Sequence, residues 1–244
     1  MLNTHITDQI YAKLSFDATN NQKKIIEKLS AWLSDDDYSR IFLLNGYAGT
    51  GKTTIIAAFV AALKELGLKP ILLAPTGRAA KVLTRYSKLT AYTIHKKIYR
   101  ERTLADFESK FSLDYNKDKN TVYIVDEASM ITDSTFEGQI FGSGSLLDDL
   151  VRYVRSGKEC RLIIVGDNAQ LPPVGSDFSP ALDPETMSRY GEVVYASMDD
   201  VVRQQAESGI LFNATMVRCM LENNLIEVPR LDLSFEDVQS ISGG

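Results

Sequence analysis

Eight consecutive residues, Gly46-Tyr47-Ala48-Gly49-Thr50-Gly51-Lys52-Thr53, fit the pattern G-x-x-x-x-G-K-[ST], in which each letter has a physical task. Glycines let backbone N–H groups converge on phosphate oxygens, and the next helix aims its positive end at the same point. Lys52 is the cation for the β- and γ-phosphates and Thr53 the hydroxyl for Mg²⁺. Further along, Val122-Tyr123-Ile124-Val125-Asp126-Glu127 sets two adjacent carboxylates at the end of an apolar run. Such a pair divides its labour: Asp126 holds Mg²⁺ through its water shell, and Glu127 orients or deprotonates a water attacking the γ-phosphate. Each pattern alone has a bland alternative, a Gly-rich turn or a solvated acidic pair. The two in one chain, each at a strand end, favour chemistry.

Two more apolar runs end in polar groups, Ala74-Pro75-Thr76-Gly77-Arg78 and Gly166-Asp167-Asn168-Ala169-Gln170. After the first of these, Arg78, Lys81, Arg85 and Lys88 recur at helical spacing as a basic stripe suited to a phosphate backbone, with a solvated helix face as the alternative. Residues 78–102 hold eight basic residues and one acid, Glu101, a local charge of +7 against −12 for the rest of the chain. Net acidity therefore does not exclude a nucleic-acid partner. Asn116-Lys117-Asp118-Lys119 fails the guanine-reading N-K-x-D at its fourth position, which makes ATP the expected nucleotide. Cys160, Cys219, His5 and His95 form no zinc-ligand spacing. Cys160 reads as a buried thiol.

The elements that must position these residues are set by five short apolar runs, 41–45, 71–74, 122–126, 161–165 and 192–195, none with clean alternation. Continuous apolar runs suit a parallel sheet buried on both faces. Helical patterns over 52–66 and 78–86 come after the first two runs, and another precedes them at 20–33 with Trp32 on its apolar stripe. The expected fold class is α/β, a mostly parallel sheet with helices on both faces. Residues 101–121 read as a small polar insertion, and 204–223 as a helix leading into an acidic tail.

Composition agrees. The chain has 244 residues, 27 Lys and Arg against 32 Asp and Glu for a net charge of −5, and 44% apolar content. Whole-chain disorder and fibrous architectures are excluded. The longest apolar run, 55–63, spans nine residues, half of the roughly 18 a membrane helix needs. The first residues, MLNTHITDQIYAKLS, lack a basic leader and an apolar core, so a cytoplasmic location is expected.

Taken in order, GYAGTGKTT, APTGRAAKVLT, AYTIHKK, IVDEASMI, GDNAQLPPVG and VVRQ resemble the first RecA-like motor domain of superfamily 1 DNA helicases, within them the RecD-like and phage Dda-like group. The resemblance covers most of residues 16–205. It implies a P-loop NTPase with ATP and Mg²⁺ as cofactors, bound through Gly46, Ala48, Gly49, Thr50, Gly51, Lys52, Thr53 and Thr54, with Thr53 and Asp126 at the metal. Gln22 resembles the adenine-reading glutamine, with a helix N-terminal role the alternative; Gln170 resembles the γ-phosphate sensor and Arg203 the arginine that contacts the γ-phosphate, with a surface cation the alternative for Arg203; Gln170 and Arg203 with Lys52 and Glu127 make the catalytic set. Thr76, Gly77, Arg78, Lys81, Arg85, Thr93 and His95 are the expected contacts to single-stranded DNA, with an interior role the alternative for His95.

The implied activity is ATP-driven 5′ to 3′ movement in a helicase or exodeoxyribonuclease subunit, with weak or no turnover in this fragment alone. Residues 1–204 would form the first motor domain, and 205–244 the start of a truncated second RecA-like domain or a tail. Two other readings stay open: a stand-alone P-loop ATPase or kinase that never meets DNA, and a non-hydrolysing nucleotide-binding assembly module.

Overall fold

The computed structural model describes residues 2–47, 49–101, 111–133, 141–198, 208–222, 225 and 227–239. In chain order its elements are α1 (Leu2–Tyr11), α2 (Asn20–Ser34), β1 (Ile41–Gly46), α3 (Lys52–Glu65), β2 (Lys69–Ala74), α4 (Gly77–Ser87), β3 (Ala91–Thr93), α5 (Ile94–Ile98), β4 (Tyr99–Glu101), β5 (Phe111–Leu113), β6 (Thr121–Val125), α6 (Leu146–Ser156), β7 (Arg161–Gly166), α7 (Pro184–Ser188), β8 (Val193–Met198) and α8 (Gly209–Glu222). All five apolar runs are strands. They join β3 in one six-stranded sheet of order β3-β2-β6-β7-β1-β8, with every neighbour parallel.

Both faces are covered, which is why the central strands are apolar throughout: every residue of β1, β6 and β7 is buried. Alternation along each strand divides the core in two. Phe42, Leu44, Leu72 and Ile124 face Ile26, Trp32, Phe59 and Leu83 of α2, α3 and α4. Leu43, Leu73, Val125 and Ile164 face Ile94, Ile98, Leu150 and Val154 of α5 and α6. Trp32 is core, as its stripe predicts, and Cys160 is buried. Side-chain caps start the helices where chain direction changes: Thr19 on α2, Thr76 on α4, Thr93 on α5 and Ser145 on α6.

The stretch 101–121 is held in place at both of its described ends. Tyr99–Glu101 pairs antiparallel with Phe111–Leu113, while 102–110 lie outside the described residues. Residues 116–118 are anchored to the sheet and to α6. Asn116 is buried, its amide donating to the Tyr153 carbonyl at 3.1 Å. The Tyr123 hydroxyl lies 3.0 Å from Asn116 Oδ1 and donates to Asp118 at 2.7 Å. Lys69 and Lys97 close on the same Asp118 carboxylate at 2.5 and 2.8 Å. Burial alone would raise the Asp118 pKa, but the bonds from Lys69, Lys97 and Tyr123 hold it well below the usual carboxylate range. The near-miss to a guanine motif is thus a structural staple.

The expected C-terminal helix is present as α8, and the stretch after it folds back on the helix. Asp237 accepts from Gly209 N at 2.8 Å and Ser208 Oγ at 2.7 Å, capping α8, and Phe235 packs on Phe212. Among the described residues no helix is long and apolar enough to cross a membrane.

Candidate active site

In a parallel α/β sheet, ligands collect beyond the carboxyl ends of the strands. Here β1, β2, β3, β6 and β7 all end at that edge with a polar residue or a loop.

β1 closes at Gly46, where a Cβ would stand 2.7 Å from Met198 Cβ and 2.9 Å from Met198 O. The loop can therefore leave the strand only if this position has no side chain. Gly51 (φ 92) then occupies the left-handed region at the start of α3, with no side-chain cap on the helix. No side chain competes for the N–H groups at the start of α3, a helix end shaped for anion binding. Lys52 Nζ folds onto the loop, donating to the carbonyls of Gly46 and of Tyr47, the latter at 2.8 Å. Thr50 is buried, its hydroxyl donating to Tyr47 O at 2.8 Å. Thr54 lies in the first turn of α3, its N–H donating to Gly51 O at 3.1 Å. Ala48 lies outside the described residues.

Gln22 reaches this loop from α2. It is 1% exposed; its Oε1 accepts from Thr19 N at 3.0 Å in a capping box, and its Nε2 donates to Thr50 O at 3.3 Å. The same amide thus ends one helix and braces the phosphate loop. Beside it, Asn21 Oδ1 is buried without a hydrogen-bond partner among the described residues, an acceptor open to an amino group.

At the end of β6, Asp126 N–H donates to Leu73 O at 3.0 Å, which ties the turn to β2. Asp126 Oδ1 accepts from Glu127 N at 2.9 Å. Burial pushes the Asp126 carboxyl up to about 6; the Glu127 N–H works against this, the Glu127 charge adds to it, and Lys52 partly offsets it. Such a buried anion is short of positive charge. Glu127 has φ 58 and ψ 39, the left-handed region that costs a side-chain-bearing residue about 1–2 kcal/mol. The residue lines a cavity of about 230 Å³ whose walls include Thr53, Thr76, Arg78, Asp126 and Met130.

After β7, Asn168 N–H donates to Asn45 Oδ1 at 3.1 Å and Ala169 N–H to Asp167 Oδ1 at 2.9 Å, which folds the loop against β1. Gln170 Oε1 accepts from Ser129 Oγ at 3.4 Å, two residues beyond Glu127. A direct side-chain bond therefore joins the Gln170 loop to the Asp-Glu turn. Asn45 and Ser129 were not singled out from sequence, although Asn45 ends an otherwise apolar strand and so marks a buried polar group that needs a partner.

The expected DNA contacts divide. Thr93 ends β3 beside Ala74, the last residue of β2, and Thr76 lies just beyond it; each threonine caps the helix after it, and Gly77 opens α4 beside them. Arg78, Lys81 and Arg85 are exposed on α4, but only Arg78 lines the cavity with Glu127. His95 goes elsewhere. Its ring lies 5.0 Å from Phe141 and 5.7 Å from Tyr99 in an aromatic cluster, and burial lowers its pKa. Arg203 lies outside the described residues.

No group of three or more His, Cys, Asp or Glu side chains is arranged to hold a metal among the described residues. A hydroxyl, Thr53, and one buried carboxylate, Asp126, next to a phosphate-binding loop suit instead a magnesium ion shared with phosphates. Converging N–H donors, a lysine, a hydroxyl and two carboxylates are together what a nucleoside triphosphate and its cation require.

The sequence profile of a family described as AAA domain matches residues 18–211, and the chain belongs to that family. With the strand order above, its fold is the RecA-like P-loop fold. The chain is 33% identical over 168 residues to the ATP-dependent RecD2 DNA helicase of Deinococcus radiodurans, covering 64% of this chain and 21% of that protein. It is 36% identical over 138 residues to the ATP-dependent DNA helicase dda of Enterobacteria phage T4, covering 54% and 28%. The crystal structure of Pif1 helicase from Candida albicans aligns over 82% of this chain and 44% of that one, at 17% identity and a TM-score of 0.47. The chain thus spans less than a third of either curated relative.

Proposed function

We propose that this member of the AAA-domain family is the ATP-binding and ATP-hydrolysing motor domain of a DNA helicase, moving 5′ to 3′ along single-stranded DNA. The observation that carries the reading is convergence: Lys52, Thr53, Asp126, Glu127 and Gln170 share one edge of the sheet with Thr76 and Thr93. The RecD2 and dda helicases it resembles support the DNA part. In this reading residues 1–204 are the first RecA-like domain, 205–244 lead towards a second, and the whole is a helicase or exodeoxyribonuclease subunit.

Gln22 and the acceptor of Asn21 read the adenine amino group. Lys52 leaves the carbonyls of Gly46 and Tyr47 to hold the β- and γ-phosphates, and the N–H groups of residues 49–53 surround them. Thr53 and Asp126 hold Mg²⁺, which supplies charge neutralisation on the phosphate oxygens. Glu127, on the wall of the cavity, orients the attacking water and takes its proton. Gln170 senses the γ-phosphate and passes its state through Ser129 to the turn. Arg203 stabilises charge on the transferring phosphoryl group.

The test is ATP turnover with and without single-stranded DNA, for wild type and Glu127→Gln. DNA-stimulated turnover that the variant loses by at least tenfold, with ATP binding retained, supports the reading. Turnover indifferent to DNA favours a stand-alone ATPase or kinase. Binding with no turnover even when a second motor domain is supplied favours an assembly module.

A further inference from the structure

Among the described residues β3 is an edge strand, with no further strand beside it. Tyr92 stands opposite Leu73 in the parallel register, so it leaves the sheet on the face of Ile71 and Leu73. Between this ring and the start of β2 lies a groove of about 430 Å³, lined by Lys69, Ile71, Thr90, Tyr92, Lys96 and Lys97. Its volume falls in the range of roughly 300–1,000 Å³ found for small-ligand sites. It faces away from the phosphate loop: it opens beside the first residues of β2, whereas Thr76 and Thr93 lie at the carboxyl ends of β2 and β3.

Three lysines meet here, and the acid that answers them is shared. Asp118 accepts from both Lys69 and Lys97, at 2.5 and 2.8 Å, which leaves an excess of positive charge. Lys69 keeps a 59% exposed side chain. Lys96 makes no ion pair among the described residues; its ammonium stands 5.9 Å from the centroid of the Tyr92 ring. Tyr92 is 40% exposed, a large aromatic surface presented to solvent. Cations beside an open aromatic ring, with a hydroxyl from Thr90, are the pairing that binds a nucleobase by stacking and its phosphate by charge.

We propose that this groove is a second single-stranded nucleic-acid contact, taking one nucleotide with its base on Tyr92 and its phosphate at Lys96. It rests on the proposed DNA reading and extends the strand's path around the β3 edge, away from Thr76 and Thr93. Stacking rather than base-edge hydrogen bonding makes the contact tolerant of sequence.

Oligothymidylate binding by fluorescence anisotropy, together with photo-crosslinking of 5-iodouracil oligonucleotides mapped by mass spectrometry, tests this on the full chain. Tyr92 is the expected crosslink. Tyr92→Ala weakens a long oligonucleotide about 5- to 100-fold, the range for one lost stacked base, and Tyr92→Phe restores the affinity. Lys96→Ala makes the salt dependence shallower by about 0.7. Unchanged affinity in Tyr92→Ala, while replacement of Arg78, Lys81 and Arg85 still weakens binding, overturns the groove and spares the DNA reading. Wild-type chain that binds no oligonucleotide overturns both. Amide shifts at Tyr92 and Lys96 caused by an oligoglutamate peptide, and absent with oligothymidylate, would assign the groove to an acidic protein segment and overturn the proposal.

Discussion

Glu127→Gly should raise stability while abolishing turnover. Glu127 holds φ 58 and ψ 39, a left-handed conformation that costs about 1–2 kcal/mol for an L-residue with a Cβ and nothing for glycine. Glycine returns part of this, about 0.5–1 kcal/mol, through the greater freedom of the unfolded chain. The carboxylate makes no hydrogen bond among the described residues, and its charge disfavours the neighbouring Asp126 anion, so its removal forfeits little. The net gain is about 0.5–1 kcal/mol, or about 1–4 °C in melting temperature for a chain of this size. Glu159 has φ 53 in the turn between α6 and β7, at the opposite end of the sheet from the Asp-Glu pair, so Glu159→Gly gives a similar gain with turnover untouched. Thermal unfolding followed by circular dichroism, with ATP turnover on the same samples, reads both effects. A melting temperature lowered by two degrees or more in Glu127→Gly would refute the strain argument, and unchanged turnover would refute the role of the carboxylate.

Lys52→Ala should remove most Mg·ATP affinity without unfolding the chain, since its ammonium donates to carbonyls of the loop itself; calorimetry on the folded variant checks this. Joint replacement of Arg78, Lys81 and Arg85 by Ala should weaken single-stranded DNA binding for every sequence and make the salt slope shallower by up to about 0.7 per lost phosphate contact, read by anisotropy at several salt concentrations. Asp118→Asn should cost about 1–3 kcal/mol at neutral pH, because it breaks charged hydrogen bonds to Lys69, Lys97 and Tyr123 that solvent only partly screens. The folded pKa of Asp118 lies below its unfolded value of about 3.9, so the contribution is complete above that pH and lost as pH falls through the folded value. Urea titrations should accordingly show wild type and variant converging in acid.

The sheet was legible because its central strands are buried on both faces, a demand that leaves apolar runs such as IFLLN and RLIIV with no other home. The phosphate loop and the Asp-Glu pair were legible because their chemistry fixes residue types at fixed spacing. Short elements were not. β3 is three residues, Ala91-Tyr92-Thr93, at an edge where only one neighbour constrains the sequence. α6 carried a readable stripe at Leu147, Leu150, Val151 and Val154 behind a Ser145 cap, but Asp148 and Asp149 broke its apolar look. Asp149 is buried because it accepts from the Tyr99 hydroxyl at 2.7 Å, a partner fifty residues away that no local pattern reveals. The same distance effect hid Asp118.

Basic residues illustrate how far a charge count carries. The excess of +7 over 78–102 is real, yet the fold spreads it over several places. Lys97 is tied to Asp118, whereas Arg100 lies 3.8 Å from Asp114 with a largely exposed side chain. Lys81 and Arg85 stay exposed on α4. Of the stripe, Arg78 alone shares a cavity with Thr53, Asp126 and Glu127. A polyanion drawn to α4 would therefore meet, at the helix N-terminus, a cation that already looks onto the Asp-Glu turn. In the motor reading, Arg78 is therefore the basic residue of the stripe placed to meet both what sits on α4 and the Asp-Glu turn.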